Sequence, residues 1–204
     1  YFDIYGSTVL ETDKPVFQIT LTETLRVRAI RISSTTGGDG TPVKLNVLKG
    51  AFQDVAINKN VEIENIIARE INDSTAPAMI SAQIFYSTGI IHLTANETLE
   101  TDVGSIKQQR LTVGNISMVT QGHPFFVLDG ASITRTDGVT ITLQLTESQR
   151  VAAIAFSGTP GGDGSPVTFD IGYDFARDIS LNKLVRSVGL VAVESEDTII
   201  PRIM

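Results

Sequence analysis

Two glycine-rich stretches, "SGTPGGDGSPVTFD" at residues 157–170 and "SSTTGGDGTPVKLN" at residues 33–46, are near copies of each other. A phosphate-binding loop would continue with Gly-Lys-Ser/Thr and a helix whose first turn faces the phosphate. Here the GGDG tetrads are followed by Ser165-Pro166 and Thr41-Pro42, and then by alternating apolar residues typical of a strand. The stretches therefore predict a tight structural turn that occurs twice.

The similarity extends far beyond these turns at one constant offset of 124 residues. It aligns "LTETLRVRAI" (21–30) with "LTESQRVAAI" (145–154), and "DVAINK" (54–59) with "DISLNK" (178–183). It also aligns "DSTAP" (73–77) with "DTIIP" (197–201). A fixed long period of this kind is typical of a tandem array of structural units.

The phase of the duplication predicts the domain organisation. Residues 1–80 match residues 125–204, so residues 81–124 have no second copy in the chain. We interpret residues 1–72 as the back part of one unit and residues 73–196 as a complete unit. Residues 197–204 are then the first strand of a following unit, or a donor strand. This phase predicts a segment of a longer array, or ends that another molecule completes.

Most of the sequence is typical of β-strands. In "VTITLQL" (139–145) apolar and polar residues alternate with the period of two that a half-buried strand requires. One short helix is predicted in each unit, because Thr146 and Gln149 fit a capping box. The first copy has Leu25 in place of the glutamine, which predicts a weaker cap. The expected fold class is all-β, a Greek-key β-sandwich with one short helix per unit.

The complete unit opens with "DSTAPAMISAQIFYSTGIIHLTANETLE" (73–100) and closes with "DISLNK". It resembles the Ig-like tandem repeats of very long prokaryotic cell-surface and adhesin-type proteins. In that family the closing turn usually carries Ala-Gly, where this chain has Ala56-Ile57 and Ser180-Leu181. The resemblance implies a non-enzymatic, extracellular structural protein, a segment of a surface layer, stalk or adhesin.

The composition excludes several classes of function. A net charge of -7 argues against nucleic acid as the main partner. The absence of cysteine excludes disulfides, zinc-thiolate sites and a thiol nucleophile. No stretch approaches the roughly eighteen apolar residues of a membrane-spanning helix. Neither histidine has neighbours at a spacing that suggests a catalytic triad, so we expect no enzymatic activity.

Acidic residues at the ends of the predicted units are the candidate metal ligands. Carboxylates suit a hard cation, and the resemblance implies calcium where consecutive repeats meet. The acids that the closing turn and the linker bring toward such a junction are Asp54, Glu70, Asp73, Asp178, Glu194 and Asp197.

Three alternatives to a surface stalk remain open from the sequence. The tail, with Ile199, Ile200 and Ile203, is a candidate donor strand that inserts into a second copy and builds a head-to-tail filament. A virion surface component and a carbohydrate-binding module are the others, although the chain has no tryptophan. Three candidate glycosylation triplets begin at Asn72, Asn96 and Asn115.

Overall fold

A computed structural model of the chain describes residues 1–10, 15–102, 104–114, 125–134 and 136–200. The chain divides into two compact units, Tyr1–Ser74 and Thr75–Met204, called here the first and the second unit. Within the described residues, neither helix longer than one turn is long and apolar enough to cross a membrane. The two units are considered separately below.

The first unit contains two strand pairs and one helix. Strands β1 and β2 pair antiparallel, with Val9 opposite Ile19. Strands β3 and β4 pair antiparallel, with Leu45 opposite Ile66. The elements are β1 (Thr8–Leu10), β2 (Gln18–Thr20), α1 (Glu23–Arg31), β3 (Lys44–Val47) and β4 (Ile63–Ile67).

The second unit is built on a large curled sheet in which the strand order is β8-β7-β11-β13-β5-β6-β10-β9, and β12 also pairs with β6. The long strands are β5 (Met79–Phe85), β6 (Ile90–Glu100), β10 (Gly138–Gln144) and β13 (Ser187–Ser195). The shorter elements are β7 (Leu111–Gly114), β8 (Phe125–Val127), β9 (Ser132–Ile133), α2 (Glu147–Ala155), β11 (Thr168–Ile171) and β12 (Arg177–Asp178). The prediction of a mostly-β fold with one short helix per unit is confirmed.

The alternating pattern of the sequence places the core of the second unit. Ile141 and Leu143 on β10 lie opposite Leu93 and Ile91 on β6, and all four side chains are fully buried. Phe169 on β11 is equally buried. Because side chains alternate between the two faces of a strand, the polar residues between them point away from this core.

The two helices differ at their first turns in the way that the sequence predicts. Thr146 accepts a hydrogen bond from the Gln149 backbone N–H, and the Gln149 side chain accepts one from the Thr146 backbone N–H, which completes a capping box. At α1, Thr22 accepts from the Leu25 N–H at 3.4 Å, and leucine has no group to return the bond. The cap of α1 is therefore the weaker one, as expected.

Backbone pairing recurs at the offset of 124 residues. Val9 opposite Ile19 in the first unit corresponds to Ile133 opposite Leu143 in the second. The pairing between β3 and β4 has the register of that between β11 and β13, and the irregularity falls at the same place in both. Helices α1 and α2 begin and end at corresponding residues. The two copies of the sequence therefore adopt the same local backbone structure.

The closing turn holds an unusual backbone conformation in both copies. Ile57 and Leu181 have φ angles of 70° and 66°. These are the residues that stand where the resembling family usually has glycine. Left-handed backbone costs an L-amino acid roughly 1–2 kcal/mol, and a β-branched residue is least suited to it. The turn keeps a left-handed residue although the sequence supplies no glycine.

Replacement of Ile57 by glycine is expected to raise the free energy of unfolding of the first unit by about 0.5–1 kcal/mol, since relieved strain exceeds the entropic cost of glycine. The Ile57 side chain is 72% exposed, so its removal sacrifices little packing. Urea unfolding followed by hydrogen-exchange mass spectrometry measures the change. Val55→Gly is the matched control, because Val55 is exposed in the same turn and has ordinary φ. A stability loss in Ile57→Gly equal to that in the control would contradict the strain argument.

Candidate functional site

The predicted metal ligands of the closing turn have partners within the turn itself. Asp54 accepts hydrogen bonds from the Asn58 backbone N–H at 2.8 Å and from Asn58 Nδ2 at 2.9 Å. The Asn58 side chain in particular holds the pKa of the Asp54 carboxyl below its ordinary value. Asp178 makes the same two bonds to Asn182, at 2.7 and 2.9 Å, but is buried. These carboxylates close a turn by accepting N–H groups that would otherwise face no acceptor.

The predicted linker acids form ion pairs with the helices. Arg26 on α1 donates from Nη1 to Asp73 at 2.7 Å, and Arg150 on α2 donates from Nη1 to Asp197 at 2.6 Å. Each arginine also binds the glutamate that begins its own helix. The Ile199 backbone N–H, together with Arg150, lowers the pKa of Asp197. Both linkers are thus tied to a helix by the same charged contact.

Glu70 and Glu194 bind donors from the GGDG-containing loops. Glu70 accepts from the Ser34 hydroxyl and from the Val43 N–H, and the Ser34 bond above all lowers its pKa. Glu194 accepts from the Gly158 N–H at 3.1 Å and from the Tyr86 hydroxyl at 2.5 Å. Burial, followed by the bond to Glu194, raises the pKa of Tyr86. A carboxylate on the last strand therefore anchors the loop in each unit.

Glu97 is an acidic residue that the sequence did not single out as a ligand. It lies on β6 and is 8% exposed, and its carboxylate comes within 4.8 Å of the Asp178 carboxylate. The two residues are 81 positions apart in the chain, so no local spacing signals their proximity. Their oxygens are of the type that calcium prefers. Calcium binding stays a prediction, and it is tested below.

A second charged cluster was also missed by the sequence. Asp174 is buried and accepts a hydrogen bond from Lys107, and Lys183 Nζ and Arg177 Nε lie 3.5 and 3.7 Å from its carboxylate. The bond from Lys107 chiefly lowers the pKa of Asp174. Asp174 has a φ of 61°, and Gly50 is its counterpart in the first unit. The cluster ties distant segments of the second unit together.

The remaining candidates lie at the surface. Ile199 and Ile200 are 65% and 81% exposed, while Ile203 lies outside the described residues. Asn72 and Asn96 are exposed, and their Oδ1 atoms accept hydrogen bonds from the backbone N–H groups of Thr36 and Ala78. The third candidate for glycosylation, Asn115, also falls outside the described residues.

Comparisons of the chain with protein-family models, with curated proteins and with solved structures gave no match. Functional argument therefore depends on the contacts of this chain alone. In those contacts all six acids predicted as metal ligands accept hydrogen bonds from their own unit. Their direct chemical effect is to fix turns, linkers and loops.

Proposed function

We propose that this chain is a non-enzymatic structural protein, a segment of a tandem array of mostly-β units. Its place is outside the cell, in a surface layer, a stalk or an adhesin shaft. Each unit contributes length, and fixed linkers and turns limit bending within each unit. The chain needs no reacting group for this role, only units that fold reproducibly.

The observation that carries the proposal is the repetition of contacts 124 residues apart. The linker acid binds a helix arginine in both units, at Asp73 to Arg26 and at Asp197 to Arg150. The turn aspartate binds an asparagine four residues later in both. Repetition of the contacts that join linker, helix and turn supports a module used in series.

A second candidate function is a filament subunit that assembles head to tail by strand donation. The specific observation in its favour is the exposure of Ile199 and Ile200 directly after β13. Apolar residues in an extended tail suit pairing with the strand edge of another copy. The length of the tail argues against it, because eight residues replace only one strand.

Light scattering across a range of protein concentrations separates the two functions. For a segment of an array we expect the 22.0 kDa mass of one chain at every concentration. Growth into large particles that disappears when residues 199–204 are deleted would overturn this expectation and favour the filament. The series is repeated with calcium and with a chelator. A calcium-dependent change in size or melting temperature supports the predicted ion, and identical curves contradict it.

A further inference from the structure

The first unit exposes side chains at positions where the second unit is buried. Phe17 is 45% exposed, whereas its counterpart Ile141 is fully buried. Leu45 is 49% exposed, and its counterpart Phe169 is fully buried. Phe52 is likewise 44% exposed. Because large apolar side chains gain free energy when they leave water, a cluster of them on one face is typical of an interaction surface.

The second unit shows what covers this face. Leu93 on β6 lies opposite Ile141, and Val113 on β7 lies opposite Phe169. Strand β5 adds Ala82 and Ile84 to the same core. The covering strands lie within residues 79–114, which belong to the part of the sequence that is largely without a second copy.

Backbone pairing leads to the same three strands. In the second unit, β10 lies between β9 and β6, β11 lies between β7 and β13, and β13 lies between β11 and β5. The corresponding strands of the first unit are β2, β3 and β4. Among the described residues, each of these pairs with one strand only. The edges that β6, β7 and β5 occupy in the second unit are therefore available in the first, and an available edge is a template for a further strand.

We propose that this surface of the first unit is a docking site for a partner polypeptide that supplies three strands in the pattern of β5, β6 and β7. The open face, as we call it, consists of Phe17, Ile19, Leu45 and Phe52 together with the available edges of β2, β3 and β4. Backbone hydrogen bonds along the edges supply affinity, and alternate side chains filling the apolar face supply specificity. The inference does not depend on the proposed function, since it concerns one face of one unit.

Charged residues beside the open face specify one residue of the partner. In the second unit the Tyr86 hydroxyl donates to Glu194, and Arg150 Nη1 donates to the Tyr86 carbonyl at 3.1 Å. Glu70 and Arg26 are the counterparts of that glutamate and arginine. The partner is therefore expected to carry a tyrosine at the position of Tyr86.

A second position distinguishes the partner from the chain's own strands. Lys107 follows β6 and binds the buried carboxylate of Asp174. The first unit has Gly50 at that place and offers no carboxylate there. A lysine held at this position would lose its counter-charge on docking, which is costly for a charge removed from water. The partner is expected to carry an uncharged residue there.

The test uses the full 204-residue chain and a fluorescently labelled synthetic peptide that copies residues 75–114. Fluorescence anisotropy is expected to show saturable one-to-one binding. Hydrogen exchange is expected to slow in β2, β3 and β4 when the peptide is added. A peptide with Lys107→Met is expected to bind more tightly than the native peptide, and one with Tyr86→Phe more weakly.

Matched variants of the chain place the binding on the open face. Leu45→Asp is expected to weaken binding about tenfold or more, because it puts a charge in the apolar face. Lys44→Ser is the control on the same strand, since successive residues of a strand point to opposite faces. Neither change lies in the second unit, whose unfolding curve should stay the same.

Three results would overturn the proposal. The first is the absence of saturable binding. The second is a change of hydrogen exchange in the second unit alone, which would mean that the peptide displaces the chain's own strands. The third is self-association of the chain that Leu45→Asp abolishes, which would assign the face to a second copy. Should the peptide precipitate, the same segment is fused through a flexible linker ahead of Tyr1. Unchanged exchange in β2, β3 and β4 of that fusion would also overturn the proposal.

Discussion

Replacement of Phe169 by alanine is expected to lower the free energy of unfolding of the second unit by about 3–5 kcal/mol. Phe169 is fully buried on β11, with Val113 on one neighbouring strand and Leu190 on the other. Removing a buried phenylalanine costs the transfer free energy of its ring and leaves a cavity that the surrounding strands fill only partly. Urea unfolding measures the loss, and hydrogen exchange on peptides from β11 and β13 assigns it to the second unit.

Leu45→Ala is the matched control, at the same position of the repeat in the first unit. Its side chain is 49% exposed, so truncation is expected to cost less than about 1 kcal/mol. The contrast between the two substitutions is the informative quantity. Comparable losses for both would show that Leu45 is buried in solution, and the description of the open face would then be wrong.

The sequence predicted the parts of the fold that depend on local signals. Alternating residues located β10, and Thr146 with Gln149 located the start of α2. The repeat predicted which turns correspond, because equal sequences at equal spacing meet the same local forces. The left-handed Ile57 was not predicted, since neither isoleucine nor its neighbours signal positive φ.

Contacts between distant segments could not be read from the sequence. The parallel pairing of β13 with β5 joins the end of the second unit to its beginning, and no turn signal specifies it. Lys107 and Asp174, and likewise Glu97 and Asp178, meet only because the sheet curls. The acids predicted as metal ligands were chosen from turn and linker positions. Their arginine, asparagine and hydroxyl partners became visible only in three dimensions.

The exposure of the first unit's apolar residues was likewise hidden from the sequence. Alternation in β2 predicts that Phe17 and Ile19 share a face, and it makes no statement about what covers that face. Burial depends on the strands that a unit contains. The same pattern is therefore core in the second unit and exposed surface in the first.

Replacement of Gly162 by alanine is expected to destabilise the second unit by about 3 kcal/mol. A Cβ atom at this glycine would lie 2.1 Å from the Ser157 carbonyl oxygen and 2.6 Å from the Ile154 carbonyl oxygen. Both are backbone atoms, so the loop must move as a whole. Movement would weaken the bond from the Gly164 N–H to the Ser157 carbonyl at 3.1 Å. Overpacking usually costs 1–3 kcal/mol, and the lost bond adds about 1 kcal/mol.

Gly158→Ser is the control in the same loop, because the first unit carries Ser34 at the corresponding position. There the serine hydroxyl donates to Glu70. At Gly158 an added Cβ would meet Glu194 Oε2 at 3.2 Å, which is the mobile end of a side chain able to accept the new hydroxyl. The control is expected to change the free energy of unfolding by less than about 0.5 kcal/mol. Equal effects of the two substitutions would mean that the GGDG loop tolerates a side chain at Gly162. The two glycines of the tetrad would then be a matter of sequence history and not of packing.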